Sequence, residues 1–291
     1  MLRLRNGIEK GTIITTLEFS GLVGTASVGA GLLGSLTGLG GGIIIIPLLT
    51  LCLGVDIRYA IGASLISVIA TSSGAAAAYV REGFINIRVG MFLEVATVCG
   101  ALAGAYAAAF IAPEIIAVLF GLVLLHSAYL TLSGHVVDGK DIQPNRLATL
   151  LRMNGSYPVS GGTRAYNVNA VPAGTGLMAL AGAVSGLLGI GSGALKVIAM
   201  DRVMKLPFKV STTTSNFMIG VTAAASAGVY LHRGYIDPAL SMPVMLGVLG
   251  GSIAGSRLLT KANTRVLRIV FGATIVMLGI EMIYKGLWGR F

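Results

Sequence analysis

Lys196 stands in an apolar run, Ala194-Leu195-Lys196-Val197-Ile198, directly after the cluster Gly189-Ile190-Gly191-Ser192-Gly193. An ammonium held in an apolar membrane segment is costly and is usually kept for a task. Beside glycines, that task is recognition of an anion. Backbone without side chains can unwind and turn its N–H groups toward negative charge. A helix that starts there adds the positive end of its dipole. Gly191, Ser192, Gly193 and Lys196 are therefore candidate binding residues. The competing readings are a lysine that snorkels to the interface and glycines that only let helices pack closely.

Ser211-Thr212-Thr213-Thr214-Ser215-Asn216 opens the following apolar segment. Hydroxyls and an amide there can hydrogen-bond an oxyanion, which makes Thr213, Thr214, Ser215 and Asn216 further candidates; the alternative is that they cap the helix and bond its own backbone. Thr71 and Thr222 are candidate pathway linings. Glu94 is the acid deepest within an apolar run and the candidate coupling group, whereas Glu18 and Glu281 read as interfacial. His126 reads as a proton-relay candidate or a packed helix residue. Cys52 and Cys99 have no paired spacing and read as buried small side chains, so no metal site and no cofactor is expected. Ser192 is a tempting nucleophile, but Ile190 breaks the serine-elbow pattern and no histidine is close in sequence.

The elements that must position these groups repeat. A shift of 151 positions lays the chain on itself: Gly38-Leu39-Gly40-Gly41-Gly42 falls on Gly189–Gly193, Gly100 and Gly104 on Gly251 and Gly255, and Phe120-Gly121 on Phe271-Gly272. Gly40, Gly41 and Gly42 thereby join the candidate site, while Ile45 holds the place of Lys196. Apolar segments are expected at 13–37, 41–53, 59–80, 87–110 and 113–133, and again at 173–188, 191–200, 210–231, 238–258 and 265–285. The segments 41–53 and 191–200 are too short to cross a bilayer alone, which needs about 20 residues, and read as arms of broken or re-entrant pairs. The fold class expected is an all-α polytopic membrane protein: a first membrane repeat (1–133), a polar cytoplasmic linker with a β-hairpin (134–172), and a second membrane repeat (173–291).

Of 291 residues, 55% are hydrophobic and 11% charged, with a net charge of +10. A mean hydropathy of +0.86 leaves too little polar surface for a water-soluble domain. The positive charges lie between apolar runs, so they argue for membrane orientation and against nucleic acid. If each broken pair enters and leaves on one side, the repeats are inverted. Arg81, Arg88, Lys140, Arg146, Arg152, Arg164, Arg202, Lys205, Lys209, Arg257, Lys261, Arg265 and Arg268 then share the cytoplasmic side with the linker. Arg3, Arg5, Lys10, Arg58, Arg233, Lys285 and Arg290 take the other. One crossing per broken pair would split the basic loops instead.

The paired glycine clusters, Pro47, Lys196, Thr213-Thr214-Ser215-Asn216-Phe217 and the matched Arg81-Glu82-Gly83-Phe84-Ile85 and Arg233-Gly234-Tyr235-Ile236-Asp237 resemble the sulfite exporter TauE/SafE family of membrane permeases. Ile198 stands where that family commonly has a proline, the place corresponding to Pro47. The resemblance implies a permease for sulfite or small organosulfonate anions, multi-pass in the inner or plasma membrane, and not an enzyme. The partners expected are a small anionic sulfur-containing solute, a coupling proton and the lipid bilayer; assembly as a homo-oligomer is compatible with the sequence. The alternatives are a passive anion channel and an intramembrane enzyme using Ser192 or His126.

Overall fold

The computed structural model describes residues 16–37, 42–82, 84–133, 145–159, 162–259 and 264–289. Among them are eleven α-helices and one two-stranded sheet. The helices are α1 (Thr16–Thr37), α2 (Gly42–Pro47), α3 (Ile57–Glu82), α4 (Ile87–Ala107), α5 (Pro113–Ser133), α6 (Arg146–Leu150), α7 (Val171–Leu188), α8 (Gly193–Ile198), α9 (Phe208–His232), α10 (Pro238–Leu259) and α11 (Thr264–Leu287). Each of the two short helices, α2 and α8, runs on into a π-helical turn, Leu48–Cys52 and Ala199–Val203 respectively.

The long helices expose large apolar side chains on their outer faces. On α4 the inward face carries Val89, Gly90, Leu93, Glu94, Thr97, Ala101, Gly104 and Ala105. Its outward face leaves Met91, Phe92, Val95, Leu102 and Tyr106 exposed. A helix with an apolar outer surface and its only acid turned inward suits a lipid surround. Ile87–Ala107 and Val171–Leu188 are long and apolar enough to cross a membrane.

Helix starts recur at the 151-residue offset. α8 begins 151 residues after α2, the second π-helical turn after the first, α9 after α3, α10 after α4 and α11 after α5. The packing interlocks the two halves: α1 lies along α10, α4 along α7, α3 along α9 and α5 along α11. Glycines make these approaches close. A methyl group at Gly31 would strike the Val248 backbone and one at Gly251 the Val28 backbone. Their images at the same offset are Gly182 against Thr97 and Gly100 against Ala179. Small residues at such crossings let backbones touch and gain dispersion contacts that larger side chains would forbid.

Two ends of the bundle have distinct fittings. At one, the Arg58 guanidinium donates to the Ile111 carbonyl (3.1 Å) and lies over the Tyr235 ring, Arg233 donates to the Tyr106 carbonyl (3.2 Å), and Lys285 donates to the Leu51 carbonyl (3.3 Å). Lys285 also pairs with Glu281 at 3.7 Å, both partly exposed, in keeping with an interfacial Glu281. At the other end sits the hairpin β1 (Gly155–Val159) and β2 (Gly162–Tyr166), antiparallel, with Gly155 opposite Tyr166. Asn86 fastens it there. Its amide nitrogen donates to the Met153 carbonyl and the Tyr166 hydroxyl, each at 2.8 Å, while its side-chain oxygen caps α4 by accepting from Val89 N–H.

Three expectations are corrected. Cys52 and Cys99 are exposed rather than buried, because an apolar run in a membrane-type helix presents half its circumference to its surroundings. The second short segment continues to Val203 rather than ending near 200, since the π-helical turn carries Asp201 and Arg202 onward with Asp201 only 5% exposed. His126 is an exposed residue of α5, not a packed one.

Candidate anion site

The backbone before α8 is unusual. Gly189, Gly191 and Ser192 have φ of +67°, +71° and +46°. Glycine adopts this left-handed region freely, but Ser192 pays steric strain for it, and strained non-glycine residues cluster at functional sites. Among the described residues the buried Ser192 hydroxyl has no hydrogen-bond partner, and no histidine or other base addresses it. Gly38 to Gly41, including the candidates Gly40 and Gly41, lie outside the described residues.

Gly42, at the start of α2, and Gly189, in the second glycine break, meet at one serine. The Ser64 hydroxyl on α3 lies 2.9 Å from the Gly189 carbonyl and 3.3 Å from the Gly42 carbonyl. On α9 the Ser215 hydroxyl donates to the Gly193 carbonyl at 3.1 Å. Ser64 and Ser215 are themselves 151 residues apart, so the same serine-to-glycine bond is made in each half. The signal for Ser64 was present in the sequence as the one hydroxyl retained when the two segments are laid together.

Two turns further along α9 the charged group is assembled. Lys196 Nζ donates to Thr222 Oγ1 at 2.5 Å, and Thr222 Oγ1 donates to Glu94 Oε1 at 2.6 Å. Lys196 Nζ lies 3.8 Å from Glu94 Oε2. Lys196 and Thr222 are wholly buried, Glu94 is 5% exposed, and Glu94 Oε2 has no hydrogen-bond partner. α8, α9 and α4 thus each supply one member. A buried ion pair of this kind adds little net stability, because desolvation of both charges offsets their attraction; removing one partner is what costs heavily. The lysine does not snorkel. It is turned inward onto a carboxylate that the sequence had singled out separately.

The corresponding place in the first half is apolar. At the 151-residue offset Lys196, Thr222 and Glu94 correspond to Ile45, Thr71 and Met245, and Ile45 is wholly buried. Among the described residues Thr71 bonds only its own helix, to the Ser67 and Val68 carbonyls.

The hydroxyl run divides. Ser215 faces the glycine break, and Asn216 beside it is half-buried. Thr213 donates to the Phe84 carbonyl (3.1 Å) or back to Lys209, and Thr214 accepts from Asn86 N–H (3.1 Å). Thr213 and Thr214 therefore latch α9 to the strap before α4.

A helical bundle with apolar outer faces, a glycine break and a buried charged cluster at its centre fits a membrane transporter. The chain belongs to the sulfite exporter TauE/SafE family, whose match covers residues 23–282. It is similar to the probable membrane transporter protein YunE of Bacillus subtilis, 27% identical over 89% of this chain and 95% of that one. A probable membrane transporter protein of Xylella fastidiosa is also 27% identical, over 94% and 96%. An archaeal relative, the probable membrane transporter protein MJ0441 of Methanocaldococcus jannaschii, is 22% identical over 87% and 91%. No solved structure matches this chain.

Proposed function

We propose that the chain is a multi-pass secondary transporter of the inner or plasma membrane, a permease or exporter for sulfite or small organosulfonate anions. Two inverted repeats, joined by the linker 134–172, alternate access to a site between them. The matched helix starts, the exchange of α1–α10 for α7–α4 and the separation of Arg58, Arg233 and Lys285 from Arg88, Arg152 and Lys209 favour this arrangement. By the positive-inside rule the hairpin end is cytoplasmic.

The observation that carries the reading is Lys196, fully buried beside the glycine break and held by Thr222 and Glu94. Its ammonium offers an anion the attraction lost on leaving water, with Gly42, Gly191, Ser192, Gly193, Ser215 and Asn216 as neutral donors; Gly40 and Gly41, outside the described residues, join them on the sequence alone. Thr213 and Thr214 bound that site on the hairpin side. Glu94 is the coupling group. No step calls for a cofactor, a metal or a covalent enzyme intermediate.

The test is flux in sealed liposomes across a panel of sulfite, sulfate, thiosulfate and small sulfonates. Saturable sulfite or sulfonate flux is expected, with sulfate the weaker substrate. Flux of none of the four would overturn the reading; unsaturable flux would indicate a channel.

A further inference from the structure

Resting on that anion-transport reading, we infer that the anion and Glu94 are alternative partners of the Lys196 ammonium, so that each anion bound there is accompanied by one proton taken up on Glu94 Oε2. The pair is built for exchange. Lys196 touches Glu94 Oε2 only loosely, at 3.8 Å, and its short contact is to the neutral Thr222 hydroxyl. Glu94 Oε1 is held by Thr222, while Oε2 has no hydrogen-bond partner although the side chain is 6% exposed. That oxygen is the one place in the cluster where a proton can settle without breaking a bond.

Charge decides the stoichiometry. Lys196 and Glu94 together are neutral, and among the described residues the cluster has no third charge. α7, packed on α4, has no ionisable side chain at all. On α9 the ionisable groups are Lys209, Tyr230 and His232, at the two ends of the helix. Asp201 and Arg202 lie on the π-helical turn beyond α8, and Arg88 and Tyr106 at the ends of α4. An anion that claims Lys196 would leave Glu94 as an unpaired buried carboxylate, which is costly enough that the group protonates instead. The loaded site is then neutral again, with Lys196 paired to the anion and Glu94 a carboxylic acid still bonded to Thr222. The apolar counterpart at Ile45, Thr71 and Met245 limits this to one exchange per chain. A monovalent anion therefore crosses with a proton and without net charge, and its direction follows the combined anion and proton gradients rather than the membrane potential.

Methanesulfonate is the suitable probe, because it stays a monoanion throughout the working pH range and any pH effect belongs to the protein. In liposomes carrying a lumenal pH dye, with voltage set by potassium and valinomycin, methanesulfonate entry should acidify the lumen by about one proton per anion. The rate should not change between zero and an imposed potential. Over the pH range in which Glu94 is ionised in the empty site and protonated in the loaded one, the half-saturating concentration should rise about tenfold per pH unit. Glu94→Gln keeps the shape and the Thr222 bond but cannot exchange a proton; its flux should become voltage-sensitive, lose the acidification and lose the pH slope. Wild-type flux without lumenal acidification would overturn the inference while leaving the transport reading intact, and needs no variant to fold. Acidification persisting in Glu94→Gln would overturn it equally. Absence of methanesulfonate and sulfite flux alike would overturn the transport reading and the inference with it.

Discussion

The Lys196 ammonium and the Glu94 carboxylate, 102 residues apart in sequence, lie 3.8 Å from one another in the interior with the Thr222 hydroxyl bonded to both. The pair joins the two halves of the chain, since Glu94 comes from the first and Lys196 from the second. Its members should therefore be coupled in stability. Lys196→Met or Glu94→Gln alone leaves one charge buried and unpaired, which should cost about 3 kcal/mol. The double variant removes both charges and should recover most of that loss. Thermal unfolding of the four proteins in detergent gives the cycle; additive losses would mean that the two residues do not interact.

The close crossings of α4 with α7 should be intolerant of any side chain. A methyl group at Gly186 would meet the Ala101 carbonyl, whereas Gly176 on the same helix has open space around its Cα. Gly186→Leu should abolish assembly of the folded protein, by size-exclusion profile, while Gly176→Ala should be neutral or slightly stabilising, by up to about 1 kcal/mol.

Asn86 should hold the hairpin to the bundle. It bonds Met153, Tyr166, Val89 and Thr214, so Asn86→Ala removes three of these four bonds and leaves only the backbone one. A loss of about 1–2 kcal/mol is expected. The specific sign is faster tryptic cleavage at Arg152 and Arg164; an unchanged digestion pattern would show that the hairpin docks by other contacts.

Tyr166 should make that docking sensitive to high pH. Burial raises its phenol above the usual range, and the hydrogen bond from Asn86 opposes this only in part. A raised value in the folded state favours the neutral form, so this contribution is fully present below the ordinary tyrosine range near pH 10 and is lost as pH rises through the higher folded value. Tryptic cleavage of the hairpin should quicken over that window in the wild type and show a smaller change in Tyr166→Phe.

Much of this was legible in the sequence because it depends on local pattern. Apolar runs mark the long helices, the paired glycine clusters mark the breaks, and alternation around Gly161-Gly162 marks the hairpin. Lys196 and Glu94 stood out because ionisable groups in apolar runs are rare. That they face one another was not legible, since no local spacing reports a contact between α8 and α4. Nor was the division of the hydroxyl run: Thr213 and Thr214 differ from Ser215 only in which side of α9 they occupy relative to the Phe84–Asn86 strap. The cysteines were misjudged for a general reason. In a membrane-type helix, apolar character no longer separates inside from outside.

The arrangement in the membrane has a direct check of its own. Single cysteines at Arg81 and Arg233, on a background free of Cys52 and Cys99, should be labelled by an impermeant reagent from opposite faces of sealed vesicles. Labelling of both from one face would contradict inverted repeats.

The central claim is that Lys196 binds the transported anion, and the half-saturating concentration of sulfite or methanesulfonate in sealed liposomes containing Lys196→Met tests it most directly. Methionine keeps much of the length and removes the charge. The account predicts a rise of about tenfold or more, with Lys196→Arg recovering part of the affinity. An unchanged half-saturating concentration in a correctly folded Lys196→Met protein would contradict it.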